Sequence, residues 1–532
     1  MAKGWIWVRR VAIVAIAVGL VLRFANLDRK AYWHDEAYTS LRVAGYMGPA
    51  VGEAVVDRPD LTAADLQRYQ QLPPTPSLVD TWNALSAHPE HPPTYYLLAH
   101  GWGRLFGASV GGYRAIAAIF GAIALPVMFW LARQLFPLQP AIAWIAVALM
   151  ATSPVHIIYS QEAREYTLWI VGLLLANGAL WRALQQKALS AWILYGLTLG
   201  LAWYGSLMTV LLGLSHLVFM ALSERRRQAW VGFVTAHALG LGLFIPWIWT
   251  IVNQWERLRS VTDWSNAPAP LDFLAKLWAL HYSAVLIDFN VPLDHPLSRL
   301  GPALVLGLVA IALVYLWRSY PRSTALFLGC GLLIPPLVLI GNDVVRAAQL
   351  SRNTRYFFPS LVLLPLAIAP LINHWLTASR RPTRAMGATL LALLLTLGIA
   401  SGVANNQALT WWNKTVGYAN IYIARYLNQT TQPLLLIEAS GVALGDALSL
   451  SHYLRPDTPL WLLPDQALPS PDRLQTVMEA RPGTTLFVLQ PSSVLRSTIV
   501  SGWQMLPTSD GQVFGPNDLV QLIPPQAGMS PN

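Results

Sequence analysis

Charge is what this chain lacks most. Only 12% of its 532 residues are Asp, Glu, Lys or Arg, against 55% hydrophobic residues, and the mean hydropathy is +0.43. A soluble globular domain carries roughly 25% charged residues, so that class is excluded and a polytopic membrane protein remains. Cysteine is nearly absent: the single Cys330 lies inside an apolar run, which leaves no disulfide framework and no cysteine metal site. There is no D-x-D pair, no G-x-x-x-x-G-K-[ST] and no H-E-x-x-H. Metal-bridged use of nucleotide sugars, ATP coupling and zincin chemistry therefore lack support. Repeats and low-complexity tracts are missing too. The net charge of +10 would suit nucleic acid, but Lys and Arg fall in short clusters between apolar segments. That pattern sets topology and attracts anionic lipid, so membrane lipids and not nucleic acid are the expected partners.

What the chain does contain is long apolar runs of about 20 residues, the length an α-helix needs to cross a bilayer. Read against their basic flanks, they place spans near 5–25, 113–134, 138–158, 165–182, 189–204, 206–222, 229–251, 299–317, 323–341, 356–375 and 385–403. That is eleven spans of a mostly α, polytopic helical membrane protein. At Tyr204-Gly205-Ser206 the pattern fits either two short spans or one long bent helix. The N-terminal MAKGWIWVRR with its apolar core resembles a signal peptide, but the A-x-A at Ala15–Ala17 falls inside that core. An uncleaved first helix is expected. The 23 Trp and 19 Tyr suit interfacial belts.

With the N-terminus cytoplasmic, every strong basic linker falls on one side: Lys3, Arg9 and Arg10; Arg182 with Lys187; Arg225 to Arg227; Arg318 with Arg322; Arg380, Arg381 and Arg384. The long segments are then extracytoplasmic in an inner or plasma membrane. They include a first outer loop, 26–112, whose stretch 94–106 reads as a helix lying in the interface, as does 271–289. From about residue 405 the composition becomes that of a soluble domain. PLLLIEAS and TTLFVLQP read as buried strands, so 405–532 is expected to be a small α/β domain beside a membrane domain, 1–404. The final IPPQAGMSPN reads as a frayed tail.

Four stretches gather polar residues on that outer side. In AYWHDEAYTS, residues 31–40, Asp35 and Glu36 follow the first span. They either cap the next helix or, beside an apolar phase that raises proton affinity, provide a general base. In HPEHPPTYY, His88 and His91 precede paired prolines that stiffen the backbone; an imidazole there is solvated or binds a phosphate or metal. In TSPVHIIYSQEAREYTLWI, Gln161, Glu162, Arg164, Glu165 and Tyr166 crowd between two spans, where helical spacing would put Glu162 with Tyr166 and Gln161 with Glu165. In SRNTRYFFPS, Arg352 and Arg355 run against the topological bias, which calls for an anionic partner such as a phosphate or a lipid headgroup. Asn413-Lys-Thr415 and Asn428-Gln-Thr430 match the N-glycosylation acceptor pattern.

Taken in order, these stretches resemble the GT-C superfamily of membrane glycosyltransferases, near the bacterial protein O-mannosyltransferases and lipid A aminoarabinose transferases. Trp33-His34-Asp35-Glu36-Ala37 looks like the Asp-Glu pair after helix one, and His91-Pro92-Pro93-Thr94-Tyr95-Tyr96 like a basic residue and two prolines before an interfacial helix. Ser160-Gln161-Glu162-Ala163-Arg164-Glu165-Tyr166 matches S-Q-E-A-R-x-Y, and Arg355-Tyr356-Phe357-Phe358-Pro359 matches R-Y-x-x-P. The likeness covers roughly 5–375; Tyr204-Gly205-Ser206 stands where many relatives carry His-Tyr. The resemblance implies a polyprenyl-phosphate sugar donor, transfer with inversion and an acceptor hydroxyl on a lipid, glycan or protein. It implies Asp35 as the base, with Glu36 and Glu162 positioning acceptor or base. Arg355, Arg164 and His91 would hold the phosphate, with Tyr166 alongside and Tyr356 beside the lipid portal. It leaves open a divalent metal among His34, His91 and Glu162, and no other cofactor is expected. The competing class is a transporter or flippase of a lipid-linked or small polar solute, for which His216 and His237 are the main mid-span polar residues. The C-terminal domain is expected to bind the acceptor.

Overall fold

The computed structural model describes residues 2–439, 442–464, 471–498, 503–509, 514 and 518–524; the greater part of the expected frayed tail lies outside them. Each of the eleven apolar runs lies on a helix or a bent helix pair. Among the described residues, six single helices are long and apolar enough to cross a membrane: Val110–Leu135, Tyr166–Gln186, Arg227–Asn253, Leu297–Ser319, Arg322–Arg346 and Arg381–Gln407. Two bent pairs bring that number to eight if each is one span, and Leu189–Trp203 and Thr209–Ser223 are shorter apolar helices. The protein is thus an integral, mostly helical membrane protein. The break at Tyr204 is real, so the single bent helix does not form. A Cβ on Gly205 would sit 2.8 Å from the Trp169 Cα, so only glycine lets the turn pack against the neighbouring helix.

The chain forms two compact units. The first comprises Met1–Arg29, Leu85–Ala99 and Ser109–Ala408; the second comprises Lys30–Ala84, His100–Ala108 and Leu409–Asn532. This grouping differs from a division by chain order, because most of the first loop goes with the C-terminal segment.

In the first unit, a proline and a buried arginine together produce the bend that leads into the 161–165 turn. The helices Pro140–Ala151 and Pro154–Ser160 meet at 58°. Pro154 has no N–H to give the Met150 carbonyl, and the Val155 N–H goes instead to Ala284 O at 2.9 Å. The fully buried Arg23 replaces both donors, bonding Met150 O at 2.9 Å and Ala151 O at 2.5 Å. A cation at a helix C-terminus also meets the negative end of its dipole. The chain then doubles back through 161–165 into Tyr166–Gln186.

Among the described residues of the second unit, five strands form one mixed sheet: β1 (Pro433–Glu438), β2 (Leu460–Leu463), β3 (Thr485–Leu489), β4 (Gln504–Thr508) and β5 (Leu519–Ile523), in the order β2-β1-β3-β5-β4. β1 is parallel to β2 and β3, while β5 runs antiparallel to both β3 and β4. β1 and β3 are the two strands read from the sequence. Leu434, Leu436, Leu486 and Val488 point to one face and pack with Trp461, Leu463 and Leu474, the period-two arrangement of a sheet covered on both faces. The β2 edge is closed by the first loop. Val56 bridges Leu462, Asp57 N–H donates to Leu462 O at 2.7 Å, and Leu460 N–H donates to Leu61 O at 2.8 Å. An unpaired edge is thereby satisfied within the chain.

Candidate functional site

The first unit collects the basic residues. Gln161 to Glu165 form a non-helical turn between Pro154–Ser160 and Tyr166–Gln186, so the helical spacing expected to put Glu162 with Tyr166 and Gln161 with Glu165 is not formed. The reason is local: the Gln161 side-chain amide donates to Leu22 O at 2.7 Å and Ala25 O at 2.8 Å, which anchors the turn to the end of the first helix. Arg164 N–H reaches back to Glu162 O at 2.7 Å. Although Arg164 and Glu162 are 1% and 2% exposed, they lie at the end of a span, where burying a charge demands partners.

Arg164 finds several. Its Nη2 donates to His91 Nδ1 at 3.2 Å and lies 3.3 Å from Glu165 Oε1, whose partner oxygen accepts from the Tyr96 hydroxyl at 3.0 Å. His91 sits between two carboxylates, its Nδ1 3.5 Å from Glu165 Oε1 and its Nε2 3.5 Å from Glu90 Oε1. The Arg164 guanidinium also lies over the Tyr96 and Tyr166 rings at 5.8 and 5.6 Å. Arg355 also sits 5.7 Å from the Tyr166 ring and 5.4 Å from the ring of Tyr356. The structure therefore brings His91, Arg164, Tyr166, Arg355 and Tyr356 into one cluster, held by cation–π contacts that fix guanidinium planes.

Sequence reasoning missed what holds Arg355 in place. It follows a short turn, Leu350–Arg352, and lies in a second one, Thr354–Phe357. Asp343, wholly buried at the end of the Arg322–Arg346 helix, accepts from Leu350 N–H at 2.9 Å and Asn342 Nδ2 at 3.0 Å. Its other oxygen accepts from Ser351 N–H at 2.7 Å and Ser351 Oγ at 2.5 Å. From the Leu271–Ser283 helix, Trp278 Nε1 donates to Ser351 Oγ at 2.7 Å. His281 Nε2 donates to Ser351 O at 3.2 Å while its Nδ1 accepts from Thr354 Oγ1 at 2.9 Å. The signal available in the sequence was an acid at the end of an apolar helix.

The second unit holds the acidic pair. Asp35 and Glu36 occupy the first turn of the helix His34–Val43, where the dipole favours anions; Glu36 is 1% exposed and Asp35 is half-buried. The Asp35 carbonyl accepts from Thr39 Oγ1 at 3.0 Å. His34 Nδ1 lies 4.0 Å from Asp446 Oδ1. Burial pushes the Asp446 carboxyl up to about 7, against a lowering hydrogen bond from Asn420 Nδ2 at 3.1 Å.

Among the described residues no three His, Cys, Asp or Glu side chains gather as a metal site. Both glycosylation sequons are structurally engaged. Asn413 is buried, and Asn428 donates to Tyr453 O at 2.7 Å while accepting from Arg455 N–H at 3.0 Å. His216 is tied to Tyr195 Oη at 2.8 Å and Asn177 Oδ1 at 3.3 Å, and His237 Nδ1 to Phe233 O at 3.0 Å. These are hydrogen bonds within and between packed helices.

Residues 90–249 match the family model of dolichyl-phosphate-mannose-protein mannosyltransferases. Over 98% of both chains, the structure superposes on ArnT from Cupriavidus metallidurans with a TM-score of 0.55 at 13% identity, both for ArnT bound to undecaprenyl phosphate and for its apo state. The chain has the GT-C membrane fold. A second GT-C structure, the apo oligosaccharyltransferase of Archaeoglobus fulgidus, aligns with a TM-score of 0.50 at 11% identity, over 91% of this chain and 69% of that one. No curated protein matches. The family model spans two of the four sequence stretches, those at His91–Tyr96 and Ser160–Tyr166, and the fold agrees with the GT-C resemblance.

Proposed function

We propose that this GT-C protein is an inverting glycosyltransferase that moves a sugar from a polyprenyl-phosphate donor to an acceptor hydroxyl. The observation that carries this reading is the cluster of Arg164, His91 and Arg355 around Tyr166. Two guanidiniums with fixed planes and an imidazole suit the oxygens of a lipid phosphate. The ArnT structure bound to undecaprenyl phosphate supports the same class of donor here.

A sugar on a phosphate is already activated, so the protein needs a base for the acceptor and cations for the leaving group. In this reading the Asp35 carboxylate takes the acceptor proton as the acceptor oxygen forms its bond to the anomeric carbon. The bond from that carbon to the phosphate oxygen breaks with both electrons going to the phosphate, and Arg355 and Arg164 stabilise the charge that develops there. Glu36 and Glu162 position base or acceptor, His91 supports Arg164, and Tyr356 flanks the path of the lipid. The placement of basic linkers supports a cytoplasmic N-terminus and action on the extracytoplasmic face of a bacterial inner or plasma membrane. The acceptor is a lipid, glycan or protein hydroxyl.

The test is incubation of purified protein in lipid with a mixed pool of native polyprenyl-phosphate sugars, followed by mass spectrometry with and without membrane extract. Consumption of one donor only when extract is present is the expected result, and the labelled product names the acceptor. Solute movement in vesicles without covalent transfer would instead establish the transporter reading.

A further inference from the structure

The segment Lys30–His34, which leads into the turn bearing Asp35 and Glu36, is held by residues more than 370 positions later in the chain. Ala31 N–H donates to Leu409 O at 2.7 Å. The Tyr453 hydroxyl works in both directions: it accepts from Tyr32 N–H at 2.5 Å and donates to Lys30 O at 3.2 Å. The Tyr32 ring meets His452 edge-on at 4.8 Å, and His452 is itself bonded to Gln70 Oε1 at 2.8 Å. Lys414 Nζ lies 4.0 Å from the centre of the Trp33 ring, a cation–π contact among largely desolvated groups. His34 faces Asp446 at 4.0 Å. The helix Ala443–Ser451 approaches so closely that a Cβ on Gly445 would lie 2.2 Å from His34 Nδ1 and 2.7 Å from the Tyr38 ring. Every residue from 30 to 34 is thus engaged by the C-terminal segment, through backbone at the first three and through side chains at the rest.

A separable acceptor-binding domain would not need such contacts. Its interface with the rest of the chain would resemble that of a transient partner, polar and modest in area. Here the first loop both closes the β2 edge and packs its acidic helix on the C-terminal helix, so the two are one folded body.

We propose that the C-terminal segment is the scaffold of the acidic pair, with Tyr453, Asp446 and Lys414 as positioning residues. They hold Lys30–His34 and thereby set where the first turn presents Asp35 and Glu36. None of the three takes part in the bond changes. The catalytic meaning rests on the transferase reading, but the positioning itself does not.

The test uses the full-length protein in lipid nanodiscs, with Tyr453→Phe, Asp446→Asn and Lys414→Met compared with wild type. Amide hydrogen exchange is read at residues 30–40, with β1 and β3 as internal controls of folding. Tyr453→Phe removes both the donor to Lys30 O and the acceptor of Tyr32 N–H. It is expected to speed exchange at residues 31–36 by tenfold or more while leaving the sheet unchanged. In the donor-consumption assay, titrated with membrane extract, the maximal rate should fall at least tenfold with the half-saturating amount of extract unchanged. Unchanged exchange at 31–36 in all three variants would overturn the proposal whether or not the protein is a transferase. So would a shift in half-saturation alone with the maximal rate retained, because that is the behaviour of an acceptor-binding domain. If no donor is consumed by wild type, the exchange result still decides the positioning claim, and only the transferase reading fails.

Discussion

Asp343→Ala is the substitution that most directly separates a supporting carboxylate from a passive one. In the native protein its two oxygens accept from Leu350 N–H, Ser351 N–H, the Ser351 hydroxyl and Asn342. Ser351 is fully buried, so water cannot replace the lost acceptor at its N–H. Leaving a buried donor unsatisfied costs about 1–3 kcal/mol, and losing bonds to a charged acceptor adds to that. The alanine variant should therefore lose roughly 3–5 kcal/mol locally, enough to release the Leu350–Arg352 turn. Asn at this position keeps one acceptor oxygen but turns an amide toward one of the backbone donors, so about half the loss is expected. Two assays report it. Amide exchange at Leu350 and Ser351 should rise in the order wild type, Asn, Ala. Affinity for undecaprenyl phosphate, measured by scintillation proximity or native mass spectrometry, should fall in the same order as Arg355 loses its fixed position. An alanine variant with native exchange at Ser351 would refute the energetic argument. Faster exchange at Ser351 with unchanged lipid phosphate affinity would refute the link to Arg355.

Three further outcomes are expected. Asp35→Asn should reduce donor consumption by about a thousandfold or more, while insertion, folding and exchange at 30–40 stay native; wild-type turnover removes Asp35 as the base. Gly445→Ala should destabilise the second unit by about 1–3 kcal/mol through overpacking, because its Cβ would overlap His34 Nδ1; a melting temperature equal to that of wild type contradicts the packing. The third concerns pH. Asp446 is raised from 3.8 to about 7 by burial, so the folded state holds its proton more tightly than the unfolded chain. Its contribution is fully present below about pH 4 and is lost as pH rises through about 7, by up to roughly 4 kcal/mol at 1.36 kcal/mol per pH unit. Asp446→Asn cannot ionise, so the variant should gain stability relative to wild type between about pH 4 and 8. A constant difference between the two across that range would show that Asp446 does not titrate with folding.

Much of this protein was legible as sequence because its strongest signals are local. Apolar runs of bilayer length become helices wherever they occur, since a chain in lipid must satisfy its own backbone, and each of the eleven runs lies on helix. The strands β1 and β3 were visible as short apolar runs bounded by turn residues, whereas β4, with its Pro507 and exposed Gln504, carried no such pattern. The residue types of the basic cluster were also visible, because arginines at the ends of apolar runs stand out.

Tertiary structure decided what depends on residues far apart in the chain. The 161–165 turn had the composition of a helix but was pulled out of it by Gln161 bonding to the first helix and by Arg23 bonding the Met150 and Ala151 carbonyls at the Pro154 bend. Asp343 became a support for Arg355 only because a helix end and a turn meet. The first loop and the C-terminal segment, separated by some 300 residues, fold as one body because the β2 edge needed hydrogen-bond partners and found them at Val56 to Leu61. Local propensity specified the elements; the satisfaction of buried donors, acceptors and charges specified which of them meet.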